Sequence, residues 1–443
     1  MISDNRTIFA PASALGRAGV AVFRISGVDA RQAILQLCEP CDMPLPRSAV
    51  LREIKSPTTN EPVDRALVLY FAAPHSFTGE DVVEFHTHGG RAVTNAVIEC
   101  LQALPNFRMA EAGEFTRRAF ENGKMDLTEA EAIADLVHAE TEAQRKQALR
   151  QLSGALGKVY EDWRLRLSRS LAYMEAAIDF ADEELPHDML EKQSVVLREL
   201  RKEIVRHLDD GHRGERLRDG FSIAILGAPN AGKSSLLNVL AKRDAAIVSP
   251  TAGTTRDIIE VHLDIQGYPV ILADTAGLRI SEDDIENEGI RRARARAAQA
   301  DLKILVLDAT APEGGEATAP LLDENSIIVI NKIDIGKEKK QGVPSPLSIS
   351  ARTGFGIDGL IQRLGQEIEK RFADTGAAPL TRARHHTALQ NCVEHLDRAL
   401  SAVIADLRAE DVRLAMRALG HITGRVDVED LLDIIFRDFC IGK

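Results

Sequence analysis

Cysteine, long apolar runs and surplus positive charge are all scarce in this chain of 443 residues. Its five cysteines stand at no even spacing, which fits a reducing compartment better than a disulfide framework. Cys38-Glu39-Pro40-Cys41 is a lone C-x-x-C; Cys100, Cys392 and Cys440 stand singly, so no second pair completes a zinc site. His86 and His88 alternate along one strand with no third ligand nearby, which suits a structural role. No apolar stretch approaches the roughly 18 residues of a spanning helix, and no charged-then-apolar start ends at a cleavage site. The chain is therefore expected to be soluble and cytoplasmic, with no membrane contact and no secretion signal. The net charge of −12 opposes that of a protein gripping nucleic acid by a broad basic surface. An RNA partner must meet a local patch such as Arg291, Arg292, Arg294 and Arg296, or arrive with a second protein. The same arginine run also reads as a solvated helix face.

What is present is ordinary for a globular protein, at 44% hydrophobic and 28% charged residues. The length suggests roughly two to four domains. Residues 1–118 mix short apolar runs with glycine turns. Val20–Ile25, Ala66–Phe71 and Val82–Phe85 are predicted strands, and Asp29–Leu37 and Ala92–Leu104 predicted helices, of an α+β domain. From about residue 119 the texture becomes helical. Leu149, Leu152, Leu156, Val159, Trp163, Leu167, Leu171, Met174 and Ile178 recur at steps of three or four, one apolar stripe along a long helix. Another helix is predicted over Leu190–Leu208. Between 218 and 374 the pattern alternates, with predicted strands at Ser222–Leu226, Ile259–Ile265, Val270–Ala273, Lys303–Leu307 and Ile327–Ile330 and a closing helix at Asp358–Phe372. That alternation implies an α/β sheet with helices on both faces. Residues 375–443 return to helix, with Gly424 closing one helix and Asp427 capping the next, which runs through Leu431, Leu432, Ile435 and Phe436. The expectation is a multidomain chain: an α+β domain (1–118) and an all-α domain (119–217 and 375–443) into which a Ras-like α/β P-loop domain (218–374) is inserted.

Gly227-Ala228-Pro229-Asn230-Ala231-Gly232-Lys233-Ser234 matches G-x-x-x-x-G-K-[ST], after a predicted strand and opening a helix, with Ser235 next. Its glycines admit phosphates to backbone N–H groups, and the helix amino terminus adds positive potential. Lys233 suits the β/γ-phosphates and the Ser234 hydroxyl suits Mg²⁺. Asn331-Lys332-Ile333-Asp334 selects the base, because the Asp334 carboxylate can accept from both N1–H and the 2-amino group of guanine. Ser350-Ala351-Arg352 resembles the loop supporting guanine O6. Asp274-Thr275-Ala276-Gly277 and Thr254-Thr255 complete the five loops of a GTPase, with Thr255 placed to finish the Mg²⁺ shell. Leu278 replaces the water-orienting glutamine of Ras-type enzymes, and no arginine finger is evident. A monovalent ion held by oxygens of Asn230, Ser249, Thr251 and Thr254 can supply the missing cation.

Beyond these loops the chain resembles the tRNA-modification GTPase family called MnmE or TrmE, along its whole length. The motifs that carry the resemblance are Gly19-Val20-Ala21-Val22-Phe23-Arg24-Ile25-Ser26-Gly27, Ser76-Phe77-Thr78-Gly79-Glu80-Asp81, His88-Gly89-Gly90, Gly113-Glu114-Phe115-Thr116-Arg117-Arg118-Ala119-Phe120 and Asp126-Leu127-Thr128-Glu129-Ala130-Glu131-Ala132. The carboxyl-terminal Phe439-Cys440-Ile441-Gly442-Lys443 is the most specific of them. The resemblance implies a homodimer whose amino-terminal domains bind 5,10-methylene- or 5-formyl-tetrahydrofolate, with Arg24, Glu80, Lys124 and Lys443 at the folate positions. It implies K⁺-dependent GTP hydrolysis, with Asn230 as a potassium ligand and Glu286 orienting water. Ser249 departs from the family's threonine but keeps the hydroxyl. It also implies that Cys440 takes part in chemistry and that an FAD-dependent MnmG (GidA) family protein joins the chain in a heterotetramer or larger assembly. Their joint product is a carboxymethylaminomethyl or aminomethyl group on C5 of the wobble uridine of certain tRNAs. The rival expectation is a ribosome-assembly GTPase switch, which shares similar loops. Such proteins usually carry an RNA-binding appendage, and no KH-type G-x-x-G follows this P-loop region. A third is a scaffold that uses GTP only to dimerise.

Overall fold

The computed structural model describes residues 5–14, 16–179, 189–210, 212–243, 260–274, 300–311, 323–336, 346–372, 379–426, 429–437 and 439–442. Residues Met1–Ala134, Leu152–Arg164 and Met416–Lys443 form one unit, and Asp135–Gln151 and Leu165–Ala415 the other.

In the first unit the hydrophobic alternation of the amino-terminal third builds a seven-stranded sheet. Its strands are β1 (Thr7–Pro11), β2 (Ala18–Ser26), β3 (Cys38–Glu39), β4 (Val50–Lys55), β5 (Pro62–Phe71), β6 (Val82–Gly89) and β7 (Phe107–Met109), in the order β3-β4-β5-β6-β2-β1-β7. Only β1–β7 is a parallel pair. Period two sends Ala21, Phe23 and Ile25 of β2 into the core and leaves Arg24 on the opposite face. Register then aligns Phe23 with Phe85 and Phe85 with Val68, a fully buried row across three strands. Burying each such side chain contributes about 1.5–3 kcal/mol. Helices α1 (Ala30–Leu37) and α2 (Arg91–Gln102) add Ile34, Leu37, Val97 and Leu101 to the same core. α3 (Glu114–Glu121) and α4 (Leu127–His138) follow.

The stripe expected along one helix is carried by two: α5 (Glu142–Leu152) and α6 (Ala155–Asp179). Gly154 sits between them at φ +79°, a left-handed conformation that ends a helix. Leu149, on the short side of the break, is 41% exposed, whereas Leu156, Trp163, Leu167, Leu171 and Met174 are buried as the stripe requires. The predicted helix over Leu190–Leu208 is α7 (Met189–Leu208).

The second unit holds a six-stranded sheet: β8 (Phe221–Gly227), β9 (Glu260–Ile265), β10 (Tyr268–Asp274), β11 (Leu302–Asp308), β12 (Ser326–Asn331) and β13 (Leu347–Ser348), ordered β13-β12-β11-β8-β10-β9. Every pair is parallel except β9–β10. β8 lies inside the sheet with Ile223 and Ile225 in one core and Ala224 and Leu226 in another. Burial on both faces is why its sequence is continuously apolar rather than alternating. α8 (Arg213–Asp219) leads into β8, α9 (Lys233–Arg243) leaves it, and α10 (Ile357–Phe372) packs Leu360, Leu364 and Ile368 onto the sheet core.

The chain enters and leaves this α/β sheet through neighbouring segments. Asp210 accepts from the N–H groups of both His212 (2.9 Å) and Leu380 (3.0 Å), and Arg218 donates to the Thr381 carbonyl at 3.0 Å. Backbones approach so closely that a Cβ on Gly214 would lie 2.1 Å from the Leu380 oxygen. α11 (Ala383–Ser401) then runs beside α7, where Arg201 pairs with Asp397. α12 (Ala405–Thr423) closes at Gly424, whose φ of +83° lets two N–H groups, its own and that of Arg425, turn back to the Gly420 carbonyl. Asp427, the expected cap of α13 (Glu429–Arg437), lies outside the described residues. The architecture is multidomain, with α+β, helical and α/β P-loop parts.

Candidate functional site

The loop after β8 depends on backbone conformations that few residues adopt. Gly232 has φ +94°, and a Cβ there would sit 2.2 Å from Asn331 Nδ2. Asn230 also lies in the left-handed region, at φ +63°, which asparagine tolerates better than most. α9 therefore starts with its amino terminus under the loop, where N–H groups and the helix dipole favour an anion. Lys233 is buried and curls over the loop, with Nζ donating to the carbonyls of Gly227 and Ala228, both at 2.9 Å. Ser234, Ser235 and Asn230 are exposed.

Asn331 joins three loops. From the end of β12 its Nδ2 donates to the Ala231 carbonyl (2.9 Å), and its Oδ1 accepts from the Ala351 N–H (3.0 Å). The asparagine is 2% exposed, so its role is to hold the three loops in register. Asn331→Ala would leave a buried carbonyl and a buried N–H unsatisfied, at about 1–3 kcal/mol each. Titration of a fluorescent GTP analogue is expected to show weaker binding even though this side chain need not touch the base. Wild-type affinity in the variant would separate the loops energetically.

The Ser350 hydroxyl donates to Asp334 Oδ1 at 2.7 Å and accepts from the Thr353 N–H at 3.1 Å, fixing the carboxylate at the mouth of the site. Lys332, at φ +65°, pairs with Asp308 at 2.6 Å. Burial opposes the Asp308 charge, but bonds from Lys332 and Thr310 outweigh it and hold the carboxyl below the usual aspartate range. Sequence reasoning missed Asp308. It stands at the carboxyl end of β11 opposite Asn331, a placement made by sheet register. Arg352 is exposed. Ser249, Thr251, Thr254, Thr255, Thr275, Ala276, Gly277, Leu278, Glu286 and the Arg291–Arg296 run lie outside the described residues, as does the side chain of Asp274.

A second cluster belongs to the first unit. Arg24 donates to Glu84 (3.0 Å), its neighbour across β2–β6, and its guanidinium lies over the rings of Phe77 and Phe115. Glu80 accepts from Ser26 at 2.7 Å and from Arg118 at 3.2 Å. Lys124 donates to the Pro74 carbonyl at 2.7 Å, and its stem runs beside Gly79. Arg24 and Lys124 thus each pack against the turn 76–81 that carries Glu80, while Lys443 lies outside the described residues. Arg118, inside the Gly113–Phe120 motif, and Glu84, three residues past the Ser76–Asp81 motif, were given no role from the sequence. Cys440 is exposed between a buried Phe439 and a backbone bridge from Ile441 to Ala112. Gly442 presses on Pro11, where a Cβ would meet the Pro11 oxygen at 2.2 Å. By contrast, burial pushes the Cys38 and Cys392 thiols up to about 12. His88 pairs with Asp64 at 2.7 Å and His86 with Glu84 at 3.3 Å.

Comparison with known proteins covers nearly the whole chain. Residues 7–124 match the family described as "GTP-binding protein TrmE N-terminus", and residues 127–440 the "MnmE helical domain". A "tRNA modification GTPase MnmE" of Parvibaculum lavamentivorans is 56% identical over 99% of this chain and 100% of its own length. That of Paramagnetospirillum magneticum is 54% identical over 99% and 100%. The human "5-taurinomethyluridine-[tRNA] synthase subunit GTPB3, mitochondrial" is 46% identical over 99% of this chain and 94% of its own. The chain belongs to the MnmE (TrmE) family of tRNA modification GTPases.

Proposed function

We propose that the chain hydrolyses GTP and, with an FAD-dependent MnmG (GidA) family partner, installs a carboxymethylaminomethyl or aminomethyl group at C5 of the wobble uridine of certain tRNAs. The observation that carries this reading is full-length similarity to relatives named for tRNA modification, one of them for a 5-substituted uridine. In this reading Asn230–Ser235, Asn331–Asp334 and Ser350–Arg352 hold GTP. Ser234, an exposed residue on the first turn of α9, and Thr255 hold Mg²⁺. Asn230, Ser249, Thr251 and Thr254 hold K⁺, and Glu286 positions water. Arg24, Glu80, Lys124 and Lys443 hold a one-carbon tetrahydrofolate; Arg24 and Lys124 pack against the turn 76–81, which itself supplies the Glu80 carboxylate. The functional domains are residues 1–118, 119–217 with 375–443, and 218–374, in a cytoplasmic homodimer.

The test has two arms. Mass spectrometry of nucleosides from tRNA of cells lacking the chain is expected to show loss of the C5-modified wobble uridine, and its persistence would overturn the reading. Replacing K⁺ by Na⁺ at equal ionic strength is expected to slow GTP turnover sharply while nucleotide still binds. Equal rates would remove the potassium site.

A further inference from the structure

We propose that His212, Glu215 and His386 form a site for a divalent transition ion of the zinc class, apart from the nucleotide loops. One ligand atom from each of the three lies within 4.8 Å of the others. Glu215 Oε2 pairs with His212 Nδ1 at 2.8 Å. Glu215 Oε1 faces His386 Nε2 at 3.9 Å, beyond hydrogen-bond reach.

The second observation is that the inner half of this cluster is unsatisfied. His386 is only 8% exposed, and among the described residues neither its Nε2 nor Glu215 Oε1 has a hydrogen-bond partner. Leaving a buried polar atom unpaired is unfavourable, and here two such atoms stand 3.9 Å apart. An ion between them would satisfy both. Two ligands bound at about 2.0–2.2 Å to a tetrahedral ion stand roughly 3.4 Å apart, so Glu215 Oε1 and His386 Nε2 need approach by only about half an ångström. His212 and His386 also stack, with ring centroids 4.5 Å apart and planes at 27°. Ligation by both requires the rings to turn apart about their Cβ–Cγ bonds.

The donor set selects the ion. Two imidazoles and one carboxylate suit Zn²⁺ and its neighbours, whereas Mg²⁺ prefers an all-oxygen shell and does not compete. The His212 side chain is 61% exposed, so water can reach a fourth position. The backbone beneath is fixed, since Asp210 holds the His212 N–H and the Leu380 N–H together. His212 stands just before α8, which leads into β8, and His386 lies on the first turn of α11. The ion would therefore link the segments by which the chain enters and leaves the α/β sheet.

The experiment uses the full-length chain, stripped with a chelator and returned to excess Mg²⁺. Zn²⁺ is titrated in competition with a chromophoric chelator, and Co²⁺ is added separately to report ligand geometry by its visible spectrum. One tight equivalent per chain is expected, with a tetrahedral Co²⁺ spectrum. His212→Ala, at an exposed position, and His386→Leu, which keeps the core filled, should each weaken binding by more than about 100-fold, beyond the 10–100-fold typical of outer-sphere changes. The His212 variant carries the test if the buried substitution disturbs folding. Failure of the wild type to hold Zn²⁺ against the chelator would overturn the proposal. So would equal retention by His212→Ala, which would place the ion elsewhere, such as at exposed Cys41 or Cys440.

Discussion

Asp334→Asn is expected to lose about 10- to 100-fold in GTP affinity, following the 1.5–3 kcal/mol typical of hydrogen bonds to a charged group. Xanthosine triphosphate should bind better by a comparable factor. The carboxylate can accept two guanine donors at once, and an amide cannot. Geometry directs the replacement, because the Ser350 hydroxyl donates to Asp334 Oδ1. In the variant that hydroxyl still prefers an oxygen, so the amide turns its NH₂ toward the purine. There it meets the C2 carbonyl of xanthine favourably and the 2-amino group of guanine unfavourably. Competitive titration with the two nucleotides reads the switch, and unchanged GTP affinity would sink the base assignment.

The parts of this region that were legible in the sequence are those set by local chemistry. A glycine-rich loop after an apolar strand, or a carboxylate three residues after Asn331, has to sit where backbone and base require it. Strand runs such as Ser222–Leu226 and Ile327–Ile330 were legible because burial on both faces leaves no polar interruption. Contacts distant in sequence were not. Nothing near Lys332 announces Asp308, and nothing near Glu80 announces Arg118, since each pair is made by sheet register or helix packing. The apolar steps from Leu149 to Ile178 misled for a related reason. Period counting is blind to one backbone angle, and Gly154 at φ +79° breaks the helix without breaking the period. The row β3-β4-β5-β6-β2-β1-β7 was equally out of reach, because strand order depends on pairing partners and not on strand character.

Cells carrying only Cys440→Ser are expected to contain tRNA with an unmodified wobble uridine while GTP turnover in vitro stays near wild type. Local structure makes this separation feasible. The backbone is pinned on both sides of the exposed thiol, by buried Phe439 packed on Phe436 and by the Ile441–Ala112 bridge. Serine keeps the size and the polarity, so the tail should hold its path. What disappears is a sulfur nucleophile or acid, for which an alcohol is a poor substitute. Parallel measurement of turnover and of bulk tRNA nucleosides gives the answer. Full modification in the variant would remove Cys440 from the chemistry and leave the tail a packing element.

The close approach of Gly214 to Leu380, with Asp210 and Arg218 bonded across it, makes the whole α/β excursion a tied loop. The entropy of bringing its ends together is met once, by these few contacts, and depends only weakly on how much chain lies between. Doubling a flexible loop adds about 0.6 kcal/mol to closure. Segments far from the tie can therefore lengthen or shorten at small cost to folding, while a single added methyl at Gly214 acts on both ends together. Closure of the excursion is thus insensitive to the amount of chain within it and sensitive to the few atoms at the tie.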